Sequence, residues 1–306
     1  MSLNFETLTG FTYRGLAPHK FTPLPGVHKG NPPDRYAPGD FFVNLRVLMM
    51  TIIEILFEKL AITTWDAIEN AFVNRISFGE DAITSINLLA LKNASFRNLA
   101  IVDTRPDEST KGCDFEFWIG RNNSGWLRYA IQAKKISVSS GRYDSLSHFV
   151  GNIPQIDVLE TYSRANGAIP LYCLYNFSNH SSAISSSCPK FRHAKEYGCS
   201  VTPSSTVKIA LSKWGAKNFT WFHARPETLP WSCLVRCPQI NQHWPEKVIG
   251  IRYAEALRER LPDALSSLLH GESISEHVED LNIFSQEIPY RPKWVGVINI
   301  NEDNDG

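Results

Sequence analysis

Two runs of alternating polarity, CDFEFWIG (113–120) and YAIQAKK (129–135), constrain the fold of this chain more than any other feature. Successive side chains of a strand face opposite ways, so Asp114 and Glu116 share one face of the first run, and Gln132 and Lys134 one face of the second. Phe115, Phe117 and Ile119, with Ile131 and Ala133, form an apolar reverse side that buries into a core. The intervening GRNNSG is polar and rich in Gly and Asn, which predicts a hairpin loop between antiparallel strands.

Register decides what such a hairpin can do. A polar site forms only if Asp114 sits opposite Gln132 or Lys134, which pairing Gly120 with Trp126 across a five-residue loop achieves. A slip of one residue would send Gln132 and Lys134 to the buried side, where an uncompensated ammonium costs several kcal/mol. The apolar face therefore selects the register that gathers acid, amide and amine.

A carboxylate beside an amine on adjacent strands suits phosphodiester hydrolysis. The carboxylate and a neighbouring carbonyl oxygen can hold a hard divalent cation that polarises the phosphate and acidifies a water. An ammonium can stabilise the pentavalent phosphorane charge or, with its pKa depressed by desolvation, orient the attacking water. Asp114 and Lys134 also suit an ordinary cross-strand ion pair, worth only about 0.2–1 kcal/mol.

The arrangement resembles the restriction-endonuclease-like PD-(D/E)XK superfamily, whose core is a helix, a β-hairpin and a following helix. Asp114 matches the motif Asp, and Gln132-Ala133-Lys134 the terminal (D/E/Q)-x-K, with QAK similar to the Mrr-type subgroup. The superfamily places a carboxylate on the helix before the hairpin, and Glu80 in SFGEDAITSINLLALKN takes that place, on a helix with apolar residues at 83, 86, 89 and 90. The resemblance implies Mg²⁺, with Mn²⁺ as a substitute, held by Asp114, Gln132, the Ala133 carbonyl and Glu80. It also implies that Lys134 positions the water and that Glu116 assists. Ser77-Phe-Gly-Glu80 reads equally as a capping box in which Glu80 only returns to the cap amide.

After the hairpin, PQIDVLETYSRAN (154–166) predicts a helix with Ile156, Leu159 and Tyr162 on its apolar side, Pro154 at its start and Gly167 at its stop. Gln155 opens that helix, where RecB-like members of the superfamily carry a Gln that approaches the site, although Leu159 stands where their Tyr would follow. A solvated first-turn Gln is the alternative. IPLYCLYN (169–176) reads as a strand buried on both faces. The expected fold is thus α/β, with helix, hairpin, helix and strand in a mixed sheet.

DNA is the substrate that the resemblance implies, with RNA a variant within the class and bacterial defence against foreign DNA an analogy. Restriction-like enzymes often cut as homodimers, and some await an activating ligand or partner protein. Arg121, Arg128, Lys135 and Arg142 put positive charge around the hairpin for phosphate contacts. Net charge is zero but unevenly spread: residues 190–225 hold seven Lys/Arg and one acid, a net +6, whereas 262–287 hold six acids and no Lys or Arg, a net −6. Trp214, Phe219, Trp221 and Phe222 interleave with the basic stretch, which suits base stacking or, equally, a solvated face over a core.

Cys113 and Cys173 fall in or beside core strands. Cys188, His193, Cys199, His223, Cys233 and Cys237 lie within one fifty-residue span, but without a CxxC pair, and that irregular spacing argues against structural zinc. The longest apolar run, VLMMTIIEILF, has eleven residues and contains Glu54, too short to span a bilayer. No secretory start precedes it. A cytoplasmic protein without a membrane partner is expected.

Residues 1–39 hold six of the eighteen prolines and predict an irregular arm. Residues 40–78 read as two helices, the first capped by Asp40 and the second around Trp65 to Arg75. The nuclease-like core covers 79–178. Residues 190–306 alternate short apolar runs with a helix at 245–269, as a second domain or as an elaboration of the same sheet. Two rival classes remain, a nucleic-acid-binding module with a decayed site and an interaction protein in which Asp114, Glu80 and Lys134 form a structural ion-pair network.

Overall fold

The structure, a computed structural model, describes residues 52–94, 98–104, 110–179, 186–237, 244, 253–270 and 283–300. The Pro-rich arm and the beginning of the first expected N-terminal helix, residues 1–51, lie outside these residues. Helix α1 (Ile52–Val73) runs unbroken through Trp65, so the expected break ahead of that residue is absent. Arg75, in the left-handed region (φ 56°), closes α1 by letting the Ile76 N–H reach the Ala71 carbonyl at 2.8 Å. Helix α2 (Glu80–Asn93) follows.

Strand β1 (Leu99–Asp103) precedes the hairpin of β2 (Lys111–Arg121) and β3 (Gly125–Lys135). Gly120 pairs with Trp126, as the apolar pattern requires. The connection is tighter than expected because Arg121 and Gly125 also pair, with Gly125 at φ 85° accommodating the turn. A short ribbon, β4 (Phe149–Val150) with β5 (Ile153–Pro154), leads into α3 (Gln155–Asn166). Gly167 takes the left-handed conformation at the end of α3, and Ile156, Leu159 and Tyr162 are all buried. Strand β6 (Ile169–Tyr175) is buried throughout, as a strand covered on both faces must be.

The rest of the chain elaborates the same sheet. Strand β7 (Cys199–Pro203), helices α4 (Ser204–Ser212) and α5 (Phe219–His223), strand β8 (Leu229–Pro230) and helix α6 (Cys233–Arg236) come next. Helix α7 (Tyr253–Ala256), strand β9 (Leu257–Arg258), helix α8 (Asp263–Leu269) and strand β10 (Arg291–Asn299) follow. Residues 245–252 of the helix expected over 245–269 lie outside the described residues; within the rest the helix is interrupted, because Leu257 and Arg258 pair with β3 as β9 and Pro262 then precedes α8 as its cap. Strand order is β1-β10-β2-β3-β6-β7-β8, with β9 on the lower end of β3; β10 runs parallel to β2, and β3 parallel to β6. The fold is α/β with a mixed, mostly antiparallel sheet.

Side-chain parity assigns the layers. Phe57 of α1 meets Phe117 edge to face, and Thr84 of α2 shares a 3.0 Å hydrogen bond with Tyr175, so α1 and α2 cover the odd-numbered face. Helix α3 covers the even-numbered face through Tyr162, and α8 packs Leu265 beside Trp118, Val295 and Val297 there. The buried stripe of α2 is Ile83, Thr84, Asn87, Leu88 and Leu91, while Ile86 and Leu89 are exposed, so the helix is rotated from the expected apolar face. Two polar residues can face inward because they are partnered: Asn87 donates to Thr64 at 3.1 Å, and Thr84 bonds Tyr175. No helix among the described residues is long and apolar enough to cross a membrane.

One close approach fixes α1 against the sheet edge. A Cβ on Gly198 would lie 1.9 Å from the Ala61 carbonyl oxygen and 2.9 Å from the Trp65 Cβ. Gly198→Ala is expected to destabilise the fold by about 1–3 kcal/mol, since backbone must move. Urea unfolding checks this, and an unchanged midpoint would show that the turn before β7 and α1 are not held at this separation.

Candidate active site at the splayed hairpin

The site forms where β2 leaves β3. Ladder pairing runs from Arg121–Gly125 to Phe115–Ile131, after which β2 stays paired with β10 alone. In that gap the Asp114 carboxylate replaces a backbone acceptor: Oδ2 takes the Ala133 N–H at 2.8 Å and the Gln132 amide as well. The Gln132 amide nitrogen also lies 3.5 Å from the Ala133 carbonyl oxygen. Asp114, Gln132 and Lys134 are each no more than 4 % exposed, so the cluster is dry and its charges interact strongly.

Glu80 joins from α2, separated from this strand by more than thirty positions in sequence. Gly79, not Ser77, caps the helix, without a side-chain cap bond, so the capping box does not form. Instead Glu80 Oε2 accepts the Lys135 N–H at 2.8 Å, and Oε1 lies 3.6 Å from Lys134 Nζ. Burial raises the Glu80 carboxyl above its ordinary pKa of 4.5; Lys134 opposes the rise and the Asp114 charge reinforces it. Burial likewise lowers the Lys135 ammonium, with Glu80 opposing. Glu80 and Lys135 line an open cavity of about 470 Å³ with Phe78, Ser137, Ser139 and Ser145; Asp114, Gln132 and Lys134 do not line it, and only Glu80 joins it to the buried cluster.

Two site residues escaped the sequence pattern. Lys111 Nζ lies 3.0 Å from Asp114 Oδ1, although strict alternation would put residues three apart on opposite faces. The reason is a bulge: Arg291 pairs with Lys111 but Pro292 with Cys113, so Gly112 is extra and turns Lys111 toward the acid. Tyr172 stands opposite Gln132 on β6, its hydroxyl buried without a hydrogen-bond partner and its pKa raised by burial and by Asp114.

The structure does not bring every expected residue to the site. Glu116 is fully buried and closed off: Arg128 Nε lies 2.9 Å away, Tyr162 donates at 2.5 Å and Trp118 at 2.7 Å. Arg128 is held in the same cage, also donating to the Asn166 carbonyl at 3.0 Å, and lines a cavity of about 510 Å³ with Arg164, Arg258 and Arg260, none of which belongs to the Asp114 cluster. Arg121 bonds Ser124 in the hairpin tip, seven residues or roughly 23 Å along the strand from Asp114. Arg142 does come near, because its backbone bridges both Ser137 and Asn218. That bridge ties the 137–147 segment to a turn carrying fully exposed Trp214, while Phe219 and Phe222 are core and Arg225 stacks on Trp221. Gln155 is buried at the start of α3 with its Oε1 unpartnered.

Two measurements separate these roles. Arg128→Met leaves Glu116 as a buried, unpaired charge and is expected to cost about 3–5 kcal/mol, with the Glu116→Met/Arg128→Met pair costing less. Equal losses in the two variants would show that the cage is not a coupled unit. For Glu80, a folded pKa above the unfolded one favours folding in the protonated form, a contribution complete below about pH 4.5 and lost as pH rises through the folded pKa. Without divalent cations, Glu80→Gln is therefore expected to gain denaturant resistance relative to wild type above that window. Parallel stability–pH curves for the two proteins would contradict the raised pKa.

No curated protein and no solved structure matches the chain. A family described as being of unknown function (DUF6615) matches residues 53–302, which takes in the whole described sheet and the cluster at the splayed hairpin, and the chain belongs to that family.

Proposed function

We propose that this protein is a metal-dependent nuclease with a restriction-endonuclease-like core, acting on DNA. The observation that carries the reading is the convergence of Glu80, Asp114, Gln132 and Lys134, distant in sequence, at the point where the β2–β3 ladder opens. The order of α2, the hairpin, α3 and β6 further supports it.

The donor set fits a hard divalent cation, Mg²⁺ or Mn²⁺: Asp114 and Glu80 carboxylates, the Gln132 amide oxygen and the Ala133 carbonyl are all oxygens. The buried, unpartnered Gln155 Oε1 and Tyr172 hydroxyl lie on the elements that surround this set, polar capacity that the protein alone leaves unused. A bound cation would polarise the scissile phosphate and acidify its water. Lys134, desolvated and held by Glu80, places an ammonium where charge develops on the phosphoryl oxygens. Lys135 lines the cavity, and Arg142, bridged to the cavity residue Ser137, and the exposed Trp214 suit backbone neutralisation and base stacking.

A second reading draws on the ion pairs. Lys111 with Asp114 and Lys134 with Glu80 balance the cluster internally, as a structural network or a decayed binding module would. One experiment decides. Purified protein is incubated with supercoiled plasmid, linear duplex, single-stranded DNA and RNA in Mg²⁺, Mn²⁺ or EDTA, beside Lys134→Ala. Cleavage that needs metal and falls by at least about 10²-fold in the variant, with its melting temperature retained, is expected. Undiminished cleavage by Lys134→Ala would refute the assignment, and no cleavage with a collapse of melting temperature in Asp114→Asn would favour the network.

A further inference from the structure

The cysteines that the sequence scatters are gathered by the fold. Cys188, Cys233 and Cys237 place their sulfur atoms within 4.8 Å of one another. Cys233 opens α6 and Cys237 ends it, with the Cys237 N–H on the Cys233 carbonyl at 2.9 Å, so the two are one helical turn apart and share a face. Cys188 arrives from a separate segment, tied down by Ser186 Oγ on its own N–H at 3.1 Å and by the Phe191 N–H on its carbonyl at 3.1 Å. Cys188 and Cys233 are buried and Cys237 is partly exposed, so among the described residues the trio reaches the surface at Cys237.

The surroundings suit anionic sulfur. The Lys190 peptide N–H bonds to Cys188, and the Arg236 guanidinium, next to Cys237 in the chain, interacts with both Cys188 and Cys233. Arg236 is anchored in turn by Glu58 at 2.7 Å and Glu196 at 3.2 Å. Those carboxylates also form a group with His193, but their engagement with Arg236 makes them poor ligands. Three thiolates around a dipositive ion carry a net charge of only −1, against −3 for the thiolates alone, so the ion itself relieves most of the charge that burial opposes.

We propose that Cys188, Cys233 and Cys237 bind a zinc ion, with water in the fourth position. Three converging soft donors select zinc over the hard cations suited to the Asp114 cluster. Binding is not a redox step: three thiols release three protons to solvent, and three sulfur–zinc bonds form. The ion would pin the 188 segment to α6, and through Arg236 and Glu58 to α1. This inference is independent of the nuclease reading, since it uses none of the residues at the splayed hairpin.

The test is made on the full chain purified under reducing conditions. Stoichiometric zinc by elemental analysis is expected, retained in Cys173→Ala and lost in Cys237→Ser, whose partly exposed position makes it the variant best able to fold. Replacement of zinc by Co²⁺ should produce the thiolate-to-cobalt charge-transfer absorption, absent from Cys237→Ser, and chelation should lower the melting temperature of wild type but not of that variant. Should Cys237→Ser fail to fold, the Co²⁺ spectrum and thiol titration of wild type still decide. Three thiols protected by added Zn²⁺ support the site. Thiols that react equally with and without Zn²⁺, or a disulfide within the trio in the purified protein, would overturn it.

Discussion

Burial of the odd-numbered face of β2 and β3 is the constraint from which the rest of the molecule follows. Phe115, Phe117 and Ile131 face the layer built by α1 and α2. Because strand side chains alternate, that burial commits Asp114, Glu116, Gln132 and Lys134 to the opposite face without further choice. Two outcomes result along one strand. Where the ladder is intact, Glu116 is sealed by Arg128, Trp118 and Tyr162; where it opens, Asp114 turns to the Ala133 peptide N–H and pairs with Lys111.

Local pattern carried the fold as far as local pattern can. The hairpin register, the α3 limits at Pro154 and Gly167, and the all-buried β6 were legible because each depends on residues within a short window. Strand β10 was not, since its insertion between β1 and β2 joins positions nearly two hundred residues apart, and nothing in WVGVINI names its neighbour. The same limit hid Lys111, whose face is reset by a bulge that only the partner strand reveals. It also hid the cysteine trio, whose members come from two elements and share no spacing rule.

Alternation gives the face of a residue but not what covers that face. Glu116 shares the Asp114 face and Arg128 brings positive charge beside the hairpin, which makes both candidates for the site in the sequence. The structure spends them on each other, since α3 lays Tyr162 over that part of the sheet and excludes water. Desolvation makes such a cage all-or-nothing: each partner is tolerable only with the other in place. Glu80 shows the converse, a residue with an available structural role at a helix start whose carboxylate instead reaches β3.

Charge balance at the splayed hairpin sets a condition on any ligand. Two carboxylates, Asp114 and Glu80, face two ammonium groups, Lys111 and Lys134, so the cluster is neutral as it stands. A divalent cation added to a neutral, buried cluster would leave an uncompensated double charge, which low dielectric makes costly. Under the nuclease reading the excess must be met by substrate, because a phosphodiester brings a negative charge of its own and can draw the Lys111 ammonium away from Asp114. The Gln132 amide must turn as well, since it now donates to the carboxylate beside which a cation ligand would present oxygen. Gln in place of an acid is then not merely a weaker ligand. Under the same reading it would keep the unloaded cluster neutral and couple cation entry to the arrival of the nucleic acid.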